Sequence, residues 1–155
     1  MNSILPLLPT KALSDALKAS YIRETAYEDV HAIQFRKNVA SYIQAAKLEM
    51  APIARYTLAY EALHAIAVGV LYVHGLAPGN REGHRTQALS LMYGFLDLDL
   101  DDRSEITHAS QTRNDKLYKS LAPPPSSATA TYLLELAERV EKIARQKLPG
   151  WFALA

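Results

Sequence analysis

From Pro52 to Gly75 the chain carries apolar residues at helical spacing, through Ala59, Leu63, Ile66, Val70 and Val73, and offers hardly any polar face. A helix that is apolar on nearly every side has to be covered by neighbours around its circumference. That element dictates a helical bundle with this segment at its centre. Pro52 suits a first helical turn, where its missing amide leaves no bond unmade, and Gly75 with Pro78 stops the helix. The most apolar part, Ala62 to Val73, includes His64 and falls short of the roughly 20 residues of a spanning helix. The expectation is a soluble, cytoplasmic chain without a membrane partner.

The remaining periodicity is helical too, and no run shows strand alternation bounded by turn residues. The expected fold class is all-α, an up-down bundle of about five or six helices in a single domain over residues 1–155. Residues 1–10 form an arm punctuated by prolines, and its short apolar run lacks a basic leader, so it does not read as a signal peptide. A short helix follows over Lys11 to Ser20. A longer one spans about Tyr27 to Glu49, with Val30, Ile33, Val39, Tyr42, Ile43 and Ala46 on one face and Arg36, Lys37, Gln44 and Lys47 on another. Glu28 and Asp29 fall in its first turn, where the helix dipole favours carboxylates. After the loop Gly75 to Asn80, a helix over Glu82 to Leu96 turns Leu89, Met92, Tyr93 and Leu96 inward. Another runs from about Arg103 to Tyr118, and Pro123-Pro124-Pro125 makes a stiff connection. The last, Ser127 to Lys147, has a stripe through Leu133, Leu136, Ala137, Val140, Ile143, Ala144 and Leu148. Its Glu135/Arg139, Glu138/Lys142 and Glu141/Arg145 stand four apart in the favoured order for ion pairs. Pro149-Gly150 ends it, and Trp151 with Phe152 is expected to latch residues 149–155 onto the bundle.

Seventeen Lys and Arg against sixteen Asp and Glu leave a formal charge of +1, so any basic site has to be local. The chain has no cysteine, which excludes disulfides, thiolate catalysis and Cys-ligated zinc. Glu61/His64 and Glu105/His108 both have the Glu-x-x-His spacing of di-metal bundles, but the further Glu ligands, Glu28 and Glu82, fall near helix starts. No cofactor and no metal are expected, and a di-metal carboxylate bundle is the third-ranked reading. Asp97, Asp99 and Asp101 alternate like a calcium loop, yet Asp102 stands where a Gly is needed and His108 where a Glu is needed. That run reads as a solvated acidic turn that neutralises Arg103, Arg113 or Lys116.

The most promising polar stretch is Arg113-Asn114-Asp115-Lys116-Leu117-Tyr118. Arg113 and Asn114 with Tyr118 form the candidate catalytic set, and Arg113, Lys116 and Lys119 the candidate phosphate-binding set, since guanidinium and ammonium groups grip phosphate oxygens by charge and hydrogen bonds. A plain alternative is a solvated face with Tyr118 half-buried. His84 and His108 are candidate substitutes for a missing proton carrier, though His108 lies off the Arg113 face.

Residues 27–148 resemble HEPN domains, small helical bundles of bacterial toxin–antitoxin pairs, antiviral systems and nucleotide-associated proteins. The likeness rests on Arg55-Tyr56-Thr57-Leu58-Ala59-Tyr60-Glu61-Ala62, on Gly83-His84-Arg85-Thr86, and on Arg113-Asn114 with Tyr118 ahead of a final amphipathic helix. The resemblance implies a homodimer that binds RNA or a nucleotide, with a nucleotidyltransferase-like antitoxin as partner in a toxin–antitoxin or phage-defence system. It also implies metal-independent endoribonuclease chemistry where an Arg is followed four to six residues later by a His. Here Tyr118 fills that place, and a phenol with a reference pKa near 10 is a poor base at neutral pH. Binding is therefore expected before cutting, and a non-catalytic interaction module for dimerisation or partner binding is the alternative.

Overall fold

The computed structural model describes residues 3–5, 10–115 and 123–148, without the side chains at 114 and 115. These residues form six helices: α1 (Lys11–Lys18), α2 (Asp29–Ala46), α3 (Pro52–Val73), α4 (His84–Leu96), α5 (Leu100–Asp115) and α6 (Ser127–Lys147). Two short strands, β1 (Ile22–Glu24) and β2 (Leu76–Pro78), complete the description. The all-α expectation holds, with α3 as the axis.

Helices α2, α4, α5 and α6 all pack on α3, whose Tyr60, Leu63, Ile66, Val70 and Leu71 are each at most 1% exposed. Although α3 is long and apolar enough to cross a membrane, 67% of its most apolar window is buried by these neighbours. The expected inward residues of α4, Leu89, Met92, Tyr93 and Leu96, are all buried. Helix α6 has the expected bounds, and Ser126 Oγ caps it by accepting the Thr129 amide at 3.1 Å. Leu13, Ala16 and Ile22 join the same core, so the segment before residue 27 is part of the packing.

The expectation of no strand needs correction. Residues 22–24 pair antiparallel with 76–78, Ile22 opposite Pro78 and Glu24 opposite Leu76, inside what reads as a loop in sequence. Three residues are too few for alternation to show, and the pairing is a backbone event between segments far apart in the chain. Gly79 fits beside it because an added Cβ would lie 2.2 Å from the Ser20 carbonyl oxygen. On α2, Val30 is 67% exposed instead of inward, because the buried set there is Ala32, Val39, Ile43 and Ala46.

The acidic run is also not a purely solvated turn. Asp99 Oδ1 accepts the Asp102 amide at 2.8 Å, which starts α5 at Leu100 and not at Arg103. Asp102 is 7% exposed, and Arg139 of α6 donates to it at 2.8 Å. Arg139 is thereby drawn away from Glu135. Among the three expected pairs of α6, Glu141 and Arg145 meet, while Glu138 takes Lys47 of α2 at 3.2 Å. The Trp151–Phe152 latch lies outside the described residues.

Candidate functional site

Arg113 lies near the end of α5, Arg85 in the first turn of α4, and both reach one carboxylate in the middle of α3. Arg113 Nη2 stands 3.1 Å from Glu61 Oε1, and Arg85 Nη1 stands 3.3 Å from the same oxygen. The Arg113 guanidinium also lies over the Tyr60 ring, 5.2 Å from its centroid, a cation–π geometry on a nearly buried aromatic. Tyr60, Glu61 and His64 share a face of α3 by their i, i+1, i+4 spacing, so one helix supplies the ring, the counter-charge and the imidazole. The exposures grade inward: the side chain of Arg85 is 39% exposed, those of Glu61 and Arg113 only 20% and 18%.

Two guanidinium groups meet one carboxylate in a partly dry setting. Helix α4 brings its own positive end to the same place. Its N-cap is Gly83, in a left-handed conformation at φ 90°, which offers no side-chain cap, so the positive end of the helix dipole stands beside Arg85.

His64 stays out of this charge network. Its Nε2 is buried with no hydrogen-bond partner among the described residues. Burial pushes its pKa down to about 4, the nearby Arg85 pushes the same way, and Glu61 opposes them. At neutral pH the ring is therefore uncharged, which is how it tolerates two guanidinium neighbours. The linkage sign follows: above pH 6.5 the ring is neutral in both states and carries no pH dependence. As the pH falls from 6.5 towards 4 only the unfolded chain takes up the proton, so folding stability declines across that window and levels off below it. Urea unfolding of wild type and His64→Gln at pH 7 and pH 4.5 should show the variant with a smaller acid loss, by about 2 kcal/mol. Parallel losses would remove His64 as the cause.

The other expected site residues divide by position. The backbone of Asn114 belongs to α5, but its side chain and all of Lys116, Tyr118 and Lys119 lie outside the described residues. His84 is near His64 and places Nδ1 3.0 Å from the Arg81 carbonyl oxygen at the start of α4. His108 is exposed on the other flank of α5, where it lines a cleft of about 330 Å³ with Tyr56, Thr112 and Ser126.

The di-metal set does not assemble. Glu61 is engaged by the arginines, Glu105 and His108 are exposed, and Glu28 pairs with His31 at 3.1 Å. Among the described residues no three His, Asp or Glu side chains are grouped to hold a metal ion.

Sequence reading assigned no site role to Tyr60 and Arg85 and pointed to Glu61 only as a metal ligand, although each sits inside a segment that carries the family likeness. The available signal was that three separate stretches each held polar residues in an apolar helical setting, and these stretches converge in space. The class defined by fold and site is thus an all-α bundle with a half-buried arginine–carboxylate–arginine cluster where three helices meet. Comparisons with protein-family models, with curated proteins and with solved structures give no match to this chain.

Proposed function

We propose that this chain is a HEPN-like phosphate-binding bundle, acting as a cytoplasmic homodimer on RNA or a nucleotide in a toxin–antitoxin or phage-defence setting. The observation that carries the reading is the convergence of Arg85 and Arg113 on Glu61 Oε1, at 3.3 and 3.1 Å, beside the N-terminus of α4. Paired guanidinium groups match the oxygens of a phosphate, and a helix N-terminus favours the same charge. Glu61 holds the two arginines in place until a phosphate takes over one or both of them. Lys116 and Lys119 extend the grip in this reading, Asn114 and Tyr118 contact the bound nucleotide, and two copies meet across the α5 region. A nucleotidyltransferase-like protein is the partner that the family likeness proposes.

The chemistry of the cluster favours binding over cleavage. A proton carrier for RNA hydrolysis works best with a pKa near 7, and His64, at about 4, is a weak base there. The test is fluorescence anisotropy of a labelled single-stranded RNA against salt, with wild type, Arg113→Ala and Arg85→Ala. Each variant should lose about tenfold in affinity and lower the salt slope by about one. Unchanged affinity and slope in both variants would overturn the site.

A further inference from the structure

One groove of the described residues is remote from the arginine cluster. It runs between α2 and α6, holds about 620 Å³, and has Ala40 and Ile43 among its lining. Neither helix contributes to the Arg85–Glu61–Arg113 site.

The charge along this groove is lopsided. Four cations, Lys47, Arg139, Lys142 and Arg145, line it against two carboxylates, Glu138 and Glu141, in a chain whose whole formal charge is +1. Internal pairing accounts for part of the set, since Lys47 meets Glu138, Arg145 meets Glu141 and Arg139 is committed to Asp102. Lys142 has no carboxylate at ion-pair distance among the described residues. The same holds for Arg36 and Lys37, which continue the Ala40 face of α2 one turn towards its N-terminus. Three cations without a carboxylate partner among the described residues thus lie along one two-helix trough.

We propose that the α2/α6 groove docks an acidic amphipathic helix of a partner protein. Small and apolar side chains at Ala40 and Ile43 let a third helix approach closely, as in helix-in-groove recognition. Glutamates on the flanks of such a helix meet Lys142, Arg36 and Lys37, and charge complementarity of this kind sets both partner choice and association rate. Nucleic acid fits less well, because a sugar-phosphate backbone offers no apolar side chains to the floor at Ala40 and Ile43. A second copy of this chain would set cations against cations.

The test uses the full chain and a labelled peptide of about 20 residues, with leucine and alanine on one helical face and glutamate along both flanks. Controls are a scrambled peptide of the same composition, a version with lysine for every glutamate, and the single-stranded RNA. The acidic amphipathic peptide should bind, Lys142→Glu should weaken it several-fold, and Lys142→Glu with Arg145→Glu should weaken it by about tenfold or more. The lysine peptide should gain affinity for the doubly reversed variant. Circular dichroism checks the fold, and Lys142→Glu, which breaks no ion pair, carries the test if the double variant does not fold. Equal binding of the scrambled peptide, or affinity indifferent to Lys142→Glu, would overturn the proposal. So would loss of RNA binding alone, or a homodimer that Lys142→Glu takes apart in sedimentation.

Discussion

Leu63→Ala should lower the folding free energy by about 3 kcal/mol, whereas Val30→Ala, also a large-to-small change within a helix, should lie within about 0.5 kcal/mol of wild type. Leu63 is fully buried in α3, where α2, α4, α5 and α6 close around the helix, so truncation leaves a cavity that fixed neighbours cannot fill. Val30 is 67% exposed in the first turn of α2, and losing its β-branch there slightly favours the helix. In a thermal melt the first change should cost about 10 °C and the second should be within a degree or two. Comparable losses from both would mean that the apolar surface of α2 is covered by something, and that α3 is not the axis on which the bundle depends.

That contrast marks what periodicity in a sequence encodes. Where a helix is apolar all round, as α3 is, or strongly two-faced, as α6 is, the pattern fixes both its existence and its limits, because nearly every residue repeats the same instruction. Val30 lies at a helix end, where a neighbour is no longer guaranteed on the side that the spacing indicates. The β1–β2 pair rests on backbone bonds between residues 22–24 and 76–78, and three residues carry no period. Ion pairs were the least legible. Arg139 stands four residues from Glu135, which sequence spacing favours, but Asp102 is more buried and more in need of a counter-charge, and it takes the guanidinium across helices. The candidate site followed the same rule. Arg113 stood out as the head of a polar stretch, but its partner Glu61 and its companion Arg85 come from other helices, at a range that local spacing does not register.

Glu61→Gln should therefore move stability and ligand affinity in opposite directions. The amide keeps the size and one acceptor of the carboxylate but removes the charge between two guanidinium groups whose side chains are 18% and 39% exposed. An exposed pair would be worth less than about 1 kcal/mol and a fully buried one about 3 to 5, so a loss of about 2 kcal/mol fits this half-buried cluster. If the cluster is a phosphate site, the same change removes the internal anion that competes for the arginines, and RNA affinity should rise by about tenfold at low salt. The two effects are linked, because an anion that binds only the folded state restores stability by mass action. Added phosphate at fixed ionic strength should raise the melting temperature of Glu61→Gln more than that of wild type, and Arg113→Ala should abolish that rise. A variant that is destabilised, gains no RNA affinity and ignores phosphate would reduce the three-residue cluster to a structural tie between α3, α4 and α5.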